Sequence, residues 1–322
     1  MIYFDHILYL PYSNINLKFK EITTEQQIYL SKVNLTLQTS HSDLYEFYLS
    51  TLDVISNCVK NYEDFKTIDI IEYVLFMTKL RCISNGNILE LTINQDDENF
   101  SKKKIILNLN NFIKKLLDFN EYIFSTKNNI IEEKNFKVFL KWPSISSIEL
   151  FFNALNKSNL NYNFINEIMY EFIDFIEINN NKISFKNFSI EEKKEVLNSL
   201  TSRVVNKIEN KILEISNLLI DQDFLSIDFF KDYKFNFYNL NFIMFIKIFF
   251  SFDIKSIYKE IYTLSGSGMD ASYILNMSPN ERKIYFSIIS ENNKSNNSEE
   301  SQVGNNKSLE DLAIEFNEMS NK

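Results

Sequence analysis

Hydrophobic positions along the chain change period several times, and each change marks an element. Residues Ile15 to Lys20 alternate apolar and polar, the period of a half-buried strand. Thr24-Glu25-Gln26-Gln27 follows with the spacing of a capping box, and a helix is expected from there to about Leu37. Ser42 opens a second helix to about Lys60, with Leu44, Phe47, Tyr48, Leu52 and Ile55 on one stripe. A third covers Ile68 to Ile83. It stops at Ser84-Asn85-Gly86-Asn87, where Gly86 takes the left-handed φ that ends a helix at little cost.

The period then returns to two. Ile88–Ile93 and Lys104–Leu109 flank a charged stretch and predict a hairpin. Lys137–Trp142 reads as a strand halted by Pro143. Helices are expected over 144–157 and 163–178, then a short strand at Ile183–Phe185 and a second capping box, Ser189 to Glu192. From Glu191 to Ser265 the pattern is mostly helical. Leu264-Ser265-Gly266-Ser267-Gly268 breaks it, and Ser278-Pro279-Asn280-Glu281 begins another helix with Ser as cap and Pro at the first turn. Residues 291–307 are apolar-poor and read as a flexible linker. In 308–322, Leu309, Leu312, Ala313 and Phe316 recur at helical spacing. So short a helix cannot bury its stripe alone, so it docks on a partner or packs back on its own chain. The expected fold is α+β and predominantly α-helical. A strand–helix unit with a small hairpin (1–142) precedes a helical body (143–290), linker and tail helix.

Composition narrows the function. The 322 residues carry a net charge of −9, and such a surface repels phosphate and anionic lipid, so neither a nucleic-acid coat nor a basic membrane-surface helix is expected. Phe235 to Phe252 is the strongest apolar run, but Asn236, Asn239, Asn241 and Lys247 interrupt it, so no membrane span is expected. The opening residues lack a basic segment and a cleavage site, so no secretory leader is expected. Two cysteines (Cys58, Cys82) and two histidines (His6, His41) are scattered singly, unlike the clustered ligands of a closed zinc site. No Gly-x-Ser-x-Gly elbow, phosphate loop or His-Glu-x-x-His helix occurs, and no cofactor is expected. A pair of carboxylates working as acid and base is the reading left to an enzyme. Tyr and Phe number 17 and 30, more than one core ordinarily uses, which fits a subunit buried in an assembly.

Several phrases resemble a known family. They are Leu10-Pro11-Tyr12-Ser13 and Leu17–Thr23 with the Gln26-Gln27 helix; Ile55–Val59; Phe65–Tyr73; and Lys79-Leu80-Arg81 with Ser84-Asn85-Gly86. Near the other end stand Glu260–Leu264 and Tyr273-Ile274-Leu275-Asn276-Met277-Ser278-Pro279-Asn280-Glu281-Arg282. Together they are similar to the baseplate hub and hub-assembly proteins of T-even-like contractile-tailed phages. The resemblance implies a structural or assembly role in the tail baseplate without catalysis, at home in the virion and in the host cytoplasm during assembly. The implied partners are other baseplate and tail proteins, in an assembly that can hold several copies. Under it, Arg81 and Gly86 finish a helix and its turn, Tyr273 and Met277 are apolar anchors, and Pro279 sets the start of the last helix. Glu281 and Arg282 are then candidates to face a partner, as is the tail stripe Leu309, Leu312 and Phe316. The rival reading is that all of them only stabilise the fold.

Overall fold

A computed structural model describes residues 5–36, 41–94, 102–133, 136–157, 168–221 and 241–296. The chain is α+β and mainly helical. Strands β1 (His6–Leu10) and β2 (Ile15–Phe19) form an antiparallel hairpin. Helices α1 (Thr24–Thr36), α2 (His41–Cys58), α3 (Tyr62–Phe65) and α4 (Ile70–Asn85) follow. A second hairpin, β3 (Ile88–Asn94) and β4 (Lys102–Asn108), runs into α5 (Leu109–Ser125).

Helix α4 is the axis of the molecule. Every residue from Ile70 to Thr78 is buried, as are Leu80, Arg81 and Ser84, so it is covered on all sides. Its stop is the one expected: Gly86 holds φ 88°, which side-chain-bearing residues rarely adopt. Helix α5 packs on it through Leu109, Phe112, Leu116, Phe119 and Ile123, spaced three and four apart.

Beyond α5, strands β5 (Ile130–Glu132), β6 (Phe136–Leu140), β7 (Ile173–Ile178) and β8 (Asn181–Ser184) make an antiparallel sheet in that order. Strand β7 corrects the helix expected over 163–178. Its apolar side chains find cross-strand partners: Ile176 lies opposite Val138, and Phe175 stacks on Phe139 with centroids 4.0 Å apart. Asn179 and Asn180 take positive φ (48° and 66°) and turn the chain into β8. Helix α6 (Ile148–Lys157) begins after a 3₁₀ turn at Ile145–Ser147. Trp142 donates to Asn120 Oδ1 at 2.8 Å, tying the sheet to α5.

Helices α7 (Ile190–Ser199), α8 (Ser202–Asp221) and α9 (Asn241–Phe249) continue the main core, which runs from Leu10 to Phe250 and so draws on both sides of residue 142. The capping box at Ser189 forms as expected, with both Ser189–Glu192 bonds present. Last come α10 (Ile254–Gly266), α11 (Ala271–Asn276) and α12 (Pro279–Asn296). They form a smaller core from Ile257, Ile261, Leu264, Ile274 and Met277, which Ile28 of α1 completes. Helix α12 continues to Asn296, six residues into the stretch read as linker. The remaining linker and the tail helix lie outside the described residues. Among the described residues, no helix is long and apolar enough to cross a membrane.

Candidate functional site

The residues singled out near the two ends of the chain meet in space, and α1 is where they meet. Its capping box sits one residue earlier than the pattern implied. Thr23 Oγ1 accepts from the Gln26 N–H at 3.2 Å, and Gln26 Oε1 accepts from the Thr23 N–H at 2.8 Å. Thr24 is thereby free for a long-range role. Its backbone N–H and hydroxyl both donate to the Met277 carbonyl, at 2.7 and 3.0 Å, and the hydroxyl oxygen accepts from Arg282 Nη1 at 2.9 Å.

Arg282 has no exposed surface, which overturns the expectation that it faces a partner. Its Nε donates to Glu260 Oε2 at 2.8 Å, so its charge is answered from α10. Burial pulls its pKa down, and Glu260 pulls the other way. Among the described residues its Nη2 has no hydrogen-bond partner. Two residues earlier, Asn280 Nδ2 donates to the Ile83 carbonyl near the end of α4. Met277 and Pro279 are buried at this joint. Tyr273 is exposed and its hydroxyl donates to half-buried Glu281 at 3.4 Å, so these two residues of the motif reach the surface.

Arg81 forms the matching clamp at the end of α4. Its Nε donates to the Phe249 carbonyl at 2.8 Å and its Nη1 to the Gly86 carbonyl at 2.9 Å, while the guanidinium lies 5.3 Å from the Phe252 ring centre. Burial lowers its pKa to about 10. Arg81 and Arg282 thus join the first hundred residues to the segment from Phe249 to Arg282. Leu309, Leu312 and Phe316 lie outside the described residues.

An enzyme of acid–base type would need two carboxylates close together. Asp69 and Glu72 lie close together, and both serve the backbone. Asp69 caps α4 by accepting from the Glu72 N–H at 2.8 Å. Glu72 turns away from its helix and accepts from the Tyr12 and Ser13 N–H groups, at 2.8 and 3.1 Å, and from the Ser13 hydroxyl. This fixes the β1–β2 turn, where Asn14 has φ 53°. Burial, then the neighbouring Glu72, pushes the Asp69 pKa up to about 8. Burial raises that of Tyr12, with Asp69, Glu121 and Glu72 adding to it. Nothing in the helical pattern of Ile70–Tyr73 signalled that Glu72 reaches back sixty residues. A recess too small for more than about one water lies between α5, β6 and α8, lined mainly by apolar groups such as Ile123, Phe124, Trp142 and Phe172. Among the described residues no three His, Cys, Asp or Glu side chains are grouped to hold a metal.

The architecture therefore joins buried internal clamps to a surface with exposed apolar side chains, Ile7 and Tyr9 on β1 and Ile88 and Ile106 on the second hairpin among them. The sequence profile of the T4 bacteriophage base plate protein family matches residues 3–223. The chain belongs to that family. No curated protein and no solved structure matches it significantly. Membership makes this baseplate protein a structural component of a T4-like phage tail, with other tail proteins for neighbours. The matched segment holds Thr24, Asp69, Glu72, Arg81 and Gly86, while the Tyr273–Arg282 motif that completes the joint lies beyond its end.

Proposed function

We propose that this protein is a subunit of the baseplate's central hub that works by contact with neighbouring tail proteins and transforms no substrate. The observation that carries the reading is the outer strand of the first hairpin. Strand β2 is tied on its far side to the α2–α3 connection, by Lys20 N–H to the Cys58 carbonyl (3.1 Å) and Lys60 N–H to the Lys18 carbonyl (2.8 Å). Among the described residues β1 pairs only with β2 and so forms the edge of its sheet. It exposes Ile7 (64%) and Tyr9 (53%), alternate residues on one face. Glu72 anchors the adjoining turn from inside, so the edge is presented rigidly. A strand of a neighbouring subunit can extend such an edge, its main chain giving affinity and pockets for Ile7 and Tyr9 giving selectivity. The net charge of −9 favours a protein neighbour over nucleic acid.

The test is affinity capture of tagged protein from infected cells, with mass spectrometry of purified particles. The reading expects hub and tail proteins in the capture, the protein itself in the particle, and at least about tenfold less capture by an Ile7→Asp/Tyr9→Asp variant whose melting temperature is unchanged. Capture of tail proteins with absence from finished particles would instead identify an assembly factor that leaves the hub. Capture without any tail protein would overturn both.

A further inference from the structure

The outer face of the first hairpin carries charge as well as apolar surface, and the charge selects among strands that could extend β1. The register sets Ile7 opposite Lys18 and Tyr9 opposite Asn16, and all four residues are exposed. Beyond β2, Lys60 continues the first of these rows, because its N–H donates to the Lys18 carbonyl. The row thus reads Lys60, Lys18, Ile7, and its next place belongs to a strand added at the edge. Lys60 is paired with Asp5, the residue before β1. Among the described residues Lys18 bonds to Asn61 through its backbone N–H, and its ammonium meets no carboxylate. We propose that the strand added to β1 is acidic as well as apolar, with a carboxylate opposite Ile7 that pairs with Lys18. The inference rests on β1 being the docking edge and names the chemistry of what docks there.

Reach, screening and symmetry support this occupant. Neighbouring strands lie about 4.8 Å apart, so a residue opposite Ile7 stands about 10 Å from Lys18, with the lysine stem lying along the Ile7 side chain between them. The Asp5–Lys60 pair already spans β2 in this way, so a lysine on this face does reach a carboxylate across an intervening strand. The net charge of −9 opposes an acidic segment at long range. At physiological ionic strength the Debye length is about 8 Å, so a carboxylate in that row answers to Lys18 far more than to the distant acidic surface. A second copy of this chain has the wrong charge. Its own edge brings another Lys18 behind its Ile7, and its Asp5 is held by its Lys60.

The test adds synthetic nine-residue peptides, alternating Val with Glu or Val with Lys, to the full chain and follows the Ile7 and Tyr9 amides by NMR. The acidic peptide is expected to bind at least about fivefold more tightly than the basic one, and Lys18→Glu to reverse the order. Lys18 is exposed, so the melting temperature of the variant should be unchanged. Equal affinities, or a preference for the basic peptide, would overturn the proposal. So would an acidic preference that survives Lys18→Glu, because the charge would then be read elsewhere. If neither peptide shifts the two amides, β1 takes no such strand and the proposal falls, whereas the hub role is decided separately by capture of tail proteins. A dimer in solution that Ile7→Asp/Tyr9→Asp disperses would give the edge to a second copy and overturn it too.

Discussion

Asp69 and Glu72 show how one desolvated neighbourhood gives two carboxylates different fates. Glu72 receives two backbone N–H groups and a hydroxyl and so fastens the β1–β2 turn. Asp69 receives backbone donors too, but burial and the Glu72 charge outweigh them and raise its pKa to about 8. An unfolded Asp titrates near about 3.9. The folded state thus holds its proton more tightly than the unfolded state does. The stabilisation is fully present below about pH 4 and is lost as pH rises through about 8. Melting temperature should accordingly fall between about pH 5 and pH 9 by an amount that Asp69→Asn removes, because Asn keeps an oxygen for the Glu72 N–H and has no proton to lose. Thermal melts of both proteins across that range decide it, and an equal slope in the variant would refute the assignment.

Helix α1 shows that an element's role can invert its expected pattern. Its buried Thr24, Gln27 and Ser31 recur at i, i+3 and i+7, so a polar stripe faces inward. Thr24 meets Met277 and Arg282, Gln27 reaches Asn85 at 3.4 Å, and Ser31 donates to the Gln27 carbonyl. Loss of the cap in Thr23→Ala should remove about 1 kcal/mol of stability. Thr24→Val removes the acceptor of buried Arg282 Nη1, while the Met277 carbonyl keeps the Thr24 N–H, and should cost more, about 2–3 kcal/mol. Denaturant unfolding of the two variants measures the difference; equal losses would mean that α1 is held only by its cap. The same helix marks the limit of what the sequence could reveal. The Ser189 box, the Ser278-Pro279 start, the Gly86 stop and the β3–β4 hairpin were legible because each is a device set by residues close in sequence. The joint was not, because a buried Thr–Arg–Glu chain has no period. Strand β7 was missed because a run of Phe and Ile suits a buried helix or a strand alike, and cross-strand neighbours decide between them. The Asn179-Asn180 pair, a two-residue turn between apolar runs, was the signal available for it.

At the scale of the whole molecule, the family match and the folding unit do not coincide. The profile ends at residue 223, yet the main core takes Ile243, Ile246, Phe249 and Phe250 from α9 and its end. Phe112 of α5 meets Phe249 edge-on at 5.3 Å. Without the last hundred residues, Arg81 loses the Phe249 carbonyl and the Phe252 ring, Thr24 loses Met277 and Arg282, and Ile28 loses its cluster. Removing each large buried side chain costs about 2–5 kcal/mol. Four of them come to about 8–20 kcal/mol, as large as the 5–15 kcal/mol that typically separates a folded domain from its unfolded chain. A chain ending at residue 223 should therefore lack a cooperative thermal transition and bind a hydrophobic dye, although it contains everything the family profile recognises. Supplying residues 224–322 as a separate polypeptide should restore the transition, since the contacts between the two parts are non-covalent. A truncated chain that melts cooperatively within a few degrees of the intact protein would show instead that the matched segment is an autonomous unit, with α9 to α12 an accessory resting on its surface.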